Sequence, residues 1–220
     1  EARENELVAD FVKNHDVWGT AGIHPHSADT AKEEDVERVR ELVMTNPKIV
    51  AVGETGLDYD HMYSKKENQI HFFKELLDVA EETGKPLFLH ERDAADDFIA
   101  CFKGHEDLCR RAIVHCYTGD KKTLERFLDM GFYIGITGWI CDERRGEALQ
   151  DAVSILPLDR VMIETDAPYL TPRGYHLPRT SVPQNITYVA ETLARYMQVP
   201  LDPLLEAAKK NTEDFFHIKS

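Results

Sequence analysis

The stretch IVAVGETGLDYD, residues 49–60, decides the fold. It opens on a short apolar run, Ile49 to Val52, rich in β-branched residues, and then breaks into glycines and acids. A fully apolar run of this length suits a strand buried on both faces of a parallel sheet. Five more runs of the same kind are Trp18 to Ile23, Pro86 to Leu89, Ala112 to Val114, Phe132 to Ile136 and Val161 to Ile163. Between them lie segments with apolar residues at helical spacing. Val36, Val39, Leu42 and Val43 form one; Ile70, Phe73, Leu76, Leu77 and Ala80 another. Leu124, Phe127 and Leu128 form a third, and Ile186, Val189, Ala190, Leu193 and Tyr196 a fourth. Residues 1–12 read as a helix feeding the first strand, and Leu201 to Phe216 as a closing helix. Strand alternating with helix means right-handed crossovers and an α/β fold with a parallel sheet. Six strands fit either a doubly wound sheet or a (β/α)8 barrel short of two strands. In both, chemistry sits at the carboxyl ends of the strands.

Those ends carry a pattern. His24, Pro25 and His26 follow Ile23. Gly53, Glu54, Gly56, Leu57 and Asp58 follow Val52. His90 and Arg92 follow Leu89, His115 follows Val114, and Glu164 and Asp166 follow Ile163. One histidine at a strand end is more often a loop or capping residue. Five strands in succession, each ending on an imidazole or carboxylate, suit a divalent-cation site: zinc takes N and O ligands, magnesium and manganese favour oxygen. The set Glu54, His90, His115 and Asp166 is expected to hold one or two ions. Mg2+ is expected first, with Mn2+ or Zn2+ as alternatives. His15, His61, His71, His105, His176 and His217 lack strand-end placement and read as surface or packing residues. Arg144 and Arg145, in a loop near Trp139, are candidate substrate contacts, although the charge run 142–147 is more simply a solvated face.

Composition bounds the partner. Against 40 acids the 220-residue chain has 26 Lys and Arg, a net charge of −14. Bulk charge therefore repels nucleic acid and anionic membranes, so any polyanion must be gripped by a local device. No apolar run approaches the roughly 20 residues that span a bilayer. The four cysteines form no CxxC pair and read as reduced thiols of a cytoplasmic protein. One domain over 1–220 and a monomeric state are expected.

Six segments together resemble the TatD family of metal-dependent deoxyribonucleases: AGIHPH (21–26), VAVGETGLDYD (50–60), PLFLHERDA (86–94), VHCYTG (114–119), IGITGW (134–139) and ETDAPYLTPR (164–173). The resemblance implies a TIM-like (β/α)8 barrel of the metal-dependent hydrolase type. It implies phosphodiester hydrolysis of DNA, with RNA as an alternative, working from the 3′ end. Carried over by position, Glu54 matches a metal-bridging acid and His90 and His115 match histidine ligands. Asp166 matches a ligand that also orients the attacking water, while His24, His26 and Arg92 match positions near the substrate phosphate. Two departures stand out. The family's opening strand with an HxH pair, and the strand after it, have no counterpart here, so the chain is expected to be N-terminally truncated. An Asn-Glu-Pro segment of relatives is replaced by Ser181-Val182-Pro183. Hydrolysis of an amide or ester, such as an aminoacyl ester, is the alternative activity. A non-catalytic, metal-binding chain is the alternative of another class.

Overall fold

The computed structural model describes residues 2–219. The strands are β1 (Gly19–Ala21), β2 (Ile49–Asp58), β3 (Leu87–Arg92), β4 (Ala112–His115), β5 (Tyr133–Ile136) and β6 (Val161–Ile163). The sheet order equals the sequence order. The pairs β1–β2, β2–β3 and β5–β6 are parallel. All six expected strands form, although the first is shorter than its apolar run, and Trp18 is 41% exposed. The helices are α1 (Ala2–Asn14), α2 (Glu33–Thr45), α3 (Lys66–Thr83), α4 (Ala95–Cys101), α5 (Lys121–Met130), α6 (Glu147–Ala152), α7 (Ile186–Met197) and α8 (Leu201–Phe216). The chain divides into two compact units, Glu1–Ile113 and Val114–Ser220.

In the first unit the periodic residues of α2 and α3 face inward. Val36, Val39, Leu42 and Val43 are buried, as are Phe73, Leu76, Leu77 and Ala80. Helix α3 ends on Gly84 at φ 72°, the left-handed geometry that lets a helix stop. The central feature is the ten-residue β2. Val52 pairs with Leu87 and Gly56 with His90, but the register slips between Gly53 and Thr55, so Glu54 is the extra residue of a bulge. Such a bulge bends a strand and re-aims its side chains. Gly56 has φ 141°, and a Cβ there would lie 1.9 Å from the His90 carbonyl oxygen. Only glycine lets the two backbones approach this closely.

The second unit packs Leu124 and Phe127 of α5 and Val189, Ala190 and Leu193 of α7 into its interior. Asp120 caps α5, its side chain accepting from the Thr123 N–H. Ser181-Val182-Pro183, which departs from the family segment, leads into a turn before α7. The Ser181 N–H donates to the Pro168 carbonyl and the Asn185 side chain donates to the Ser181 hydroxyl, so the segment ties α7 to the loop after β6.

Candidate metal centre

At the carboxyl ends of β1, β2 and β3 the first unit gathers four imidazoles around two acids. Asp58, the last residue of β2, has a side chain with 0% exposure. Its Oδ1 accepts from the backbone N–H of Asp60 (3.0 Å) and His61 (2.8 Å). Its Oδ2 accepts from His26 Nε2 (2.6 Å), His61 Nδ1 (2.9 Å) and His90 Nε2 (3.1 Å). Burial pushes this carboxyl up, but the hydrogen bonds from His90, His61 and His26 together outweigh it and hold Asp58 far below the usual carboxylate range. Its backbone is clamped as well. Gln69 of α3 accepts from the Asp58 N–H at 2.8 Å, and its amide donates to the carbonyls of Asp58 (3.1 Å) and Ser64 (2.8 Å).

His90 bridges the two acids. Its Nδ1 lies 2.8 Å from Glu54 Oε1, opposite the Asp58 contact. Burial lowers its basicity, yet the bonds to Asp58 and Glu54 win and raise its pKa to about 9. His26 goes the other way: burial lowers its pKa, and the Asp58 bond offsets this only in part. The His26 N–H donates to His24 Nδ1 at 3.1 Å, which leaves the proton of a neutral His24 on Nε2, 3.4 Å from Glu54 Oε1. Ligand atoms of His24, His26 and His90 all lie within 4.8 Å of one another. So do those of His26, Asp58 and His61. The family resemblance implies that His24 and His26 lie near a substrate phosphate; here both stand among the groups able to ligate a cation. Three imidazoles and the Glu54 carboxylate match the donor chemistry of such an ion, and the fully buried Asp58 orients the rings as an outer carboxylate does at metal sites.

His61, read as a surface or packing residue, binds Asp58 through both its ring and its backbone, because the chain turns back immediately after β2. Glu91, beside His90, is 9% exposed and accepts from the Ala94 N–H at 2.8 Å. Burial raises its pKa, and the Ala94 bond offsets this only in part. Arg92 points its Nε toward Asp60 at 3.6 Å and Asp93 at 3.9 Å.

The second unit has its own constellation at the ends of β4, β5 and β6. His115 is 8% exposed. Its Nδ1 lies 3.0 Å from Glu164 Oε2, and its Nε2 lies 3.6 Å from Asp166 Oδ1. Glu164 also accepts from the Cys116 N–H at 3.0 Å. Gly135 makes room for that carboxylate, since a Cβ there would lie 2.3 Å from Glu164 Oε2. The Cys116 thiol touches the Thr137 hydroxyl at 3.3 Å, and burial pushes its pKa up to about 11. His115, Cys116 and Asp166 can bring ligand atoms within 4.8 Å of one another. Of the residues expected in one set, Glu54 and His90 thus meet in the first unit, and His115 and Asp166 meet in the second.

The family model for TatD related DNase matches residues 2–217. The chain belongs to the TatD family. It is 43% identical over 178 residues to the 3'-5' ssDNA/RNA exonuclease TatD of Enterobacter lignolyticus, covering 81% of this chain and 68% of that protein. To the protein of the same name from Citrobacter rodentium it is 37% identical over 204 residues, covering 91% and 77%. The crystal structure of a TatD homolog from Escherichia coli K12 superposes with a TM-score of 0.89 at 27% identity, covering all of this chain and 84% of the other. The α/β fold is therefore that of TatD proteins, as the six ordered motifs implied. Asp58, His61, Glu164 and Gln69 are the site residues that reading left unassigned. A signal existed for Gln69: it stands four and seven residues before Phe73 and Leu76, on the buried stripe of α3, where a polar side chain must find backbone partners.

Proposed function

We propose that this TatD protein is a metal-dependent 3′-5′ exonuclease that hydrolyses phosphodiester bonds of single-stranded DNA, with RNA as a second substrate. The observation that supports it best is the convergence of His24, His26, His90 and Glu54 around the buried Asp58. That donor set fits a divalent cation and sits in a member of a DNase family whose curated relatives are named for this activity. Glu54 and His90 are the ligands offered by the first unit, with His24 and His26 beside them, and His115 and Asp166 those offered by the second. A divalent ion held there would supply Lewis-acid polarisation of the phosphate and a bound water whose pKa is lowered toward about 7. The imidazole-rich set suits Mn2+ or Zn2+ as well as the Mg2+ expected from sequence.

The residues do the rest. Asp58 fixes the rings of His26, His61 and His90 through the three hydrogen bonds to its Oδ2, while its Oδ1 holds the backbone of Asp60 and His61. Glu164 holds His115 through Nδ1, which aims Nε2 at Asp166. Asp166 accepts the proton of the attacking water at its carboxylate, steadied by His115. Arg92 faces the phosphate only if it leaves Asp60 and Asp93. We place the enzyme in the cytoplasm, on its four free thiols, and take it as a monomer; among the described residues no helix is long and apolar enough to cross a membrane.

The test uses a 5′-labelled single-stranded oligonucleotide. Shortening from the 3′ end should stop in EDTA and return with Mn2+ or Mg2+. Asp166→Asn should melt like wild type while losing at least about 100-fold in turnover. Undiminished cleavage in excess chelator, or wild-type rates in the Asn variant, would overturn the reading.

A further inference from the structure

The second unit contains a basic cleft of about 510 Å3, in the size range of small-ligand sites. The loop after β5 and the loop after β6 form it, the same loops that carry Thr137 and Asp166. They are packed hard together: a Cβ on Gly138 would lie 2.0 Å from the Leu170 carbonyl oxygen. Its lining includes Trp139, Arg145, Arg173, His176 and Arg179. The acid in that lining is Asp142, whose side chain is 3% exposed.

Asp142 is an organiser. Arg145 Nε donates to its Oδ2 at 3.0 Å, Arg173 Nε lies 3.1 Å from the same oxygen, and the Arg144 N–H donates to Oδ1 at 3.0 Å. Burial raises this carboxyl, but the Arg144 and Arg145 bonds and the Arg173 charge outweigh it, so it stays ionised. Each arginine spends its Nε on Asp142. Its two terminal amino groups remain, on side chains 53% and 52% exposed for Arg145 and Arg173. The Arg145 guanidinium also lies 4.4 Å from the centre of the Trp139 ring, which holds it flat. A pre-ordered pair of guanidiniums has the fork geometry that matches phosphate oxygens, and an aromatic floor beside them suits a base. In a chain of net charge −14 this is a local device of the kind a polyanion needs.

We propose that the cleft of Trp139, Arg145, Arg173 and Arg179 is a strand-binding subsite, which grips the phosphodiester backbone of single-stranded nucleic acid. Its ligand class rests on the nuclease reading; its geometry does not. Arg145 and Arg173 clamp a phosphate, Arg179 adds charge at the exposed rim, and Trp139 with the stacked Arg145 supports a base.

The experiment is fluorescence anisotropy of labelled dT12 with chelator-treated protein over a salt series, so that no turnover is required. Arg145→Ala with Arg173→Ala, and Arg179→Ala alone, are compared with wild type, each checked by thermal melt. The double variant should weaken binding about 10-fold or more. It should also flatten the slope of log K against log salt by about 0.7 for each phosphate that is no longer neutralised. If removing both partners of Asp142 prevents folding, Arg179→Ala and the charge-conserving Arg145→Lys carry the test, each with a several-fold loss. Folded variants that keep wild-type affinity and slope, or a wild type that does not bind dT12, overturn the proposal. Binding that depends on the cleft but never leads to cleavage with any metal would remove the nuclease reading and leave the subsite standing.

Discussion

Replacing Gln69 by leucine is the sharpest probe of how the metal centre is built. Gln69 is 2% exposed and makes three hydrogen bonds, to the Asp58 N–H, the Asp58 carbonyl and the Ser64 carbonyl. Leucine fills the space but strands all three backbone groups. Each buried group left without a partner costs about 1–3 kcal/mol, and the added apolar contact returns part of it. A net loss of about 3 kcal/mol is expected. For a chain of this length that lowers Tm by about 6–12 °C, read by circular dichroism in EDTA so that no ion contributes. Gln69→Glu separates the two halves of the clamp. Its carboxylate still accepts from the Asp58 N–H but faces two carbonyl oxygens, which raises its folded pKa above the ordinary value of about 4.3. A raised folded pKa means that stability is fully present below the unfolded value and is lost as pH rises through the folded one. Relative to wild type at each pH, the Glu variant, whose protonated carboxyl has one O–H for two carbonyls, should keep a small deficit near pH 4 and fall toward the leucine variant by pH 8. A leucine variant within about 1 kcal/mol of wild type, or a Glu variant whose deficit does not change with pH, would refute the clamp.

Gly56→Ala should cost about 4 kcal/mol or more, because its Cβ meets the His90 carbonyl oxygen at 1.9 Å with φ at 141°. Gly84→Ala, also at positive φ but with nothing within 4 Å, should cost only about 1 kcal/mol; urea denaturation compares the two. Glu164→Gln should keep the melt near wild type while lowering turnover about 10- to 100-fold, since His115 loses the charge that orients it. Asp142, held below its usual range, contributes stability that is present above the ordinary Asp value and lost as pH falls through its folded one. Wild type should therefore lose Tm more steeply than Asp142→Asn between pH 4 and pH 2, and parallel curves would contradict the pairing.

The linear chain determined the layers and the location of the chemistry. Short β-branched runs such as Ile49–Val52 and Val161–Ile163 became strands, and Val36, Val39, Leu42 and Val43 became a buried helical stripe, because burial follows periods that are written locally. His24, Glu54, His90, His115 and Asp166 were legible because each stands within three residues of the end of such a run, and parallel strands point their ends the same way. Tertiary structure decided which acids matter. Nothing local separates Asp58 from Asp60 in GLDYD, yet one is fully buried beneath three imidazoles and the other is 45% exposed. The bulge at Glu54 and the clamp from Gln69 select between them, and both depend on how β2 meets β3 and α3. In the same way Asp142 reads as one charge in a solvated run until Arg173, thirty-one residues on, folds against it. Periodicity reports which face a residue is on; the partner that gives a buried charge its role lies elsewhere in the chain, and only the folded backbone brings the two together.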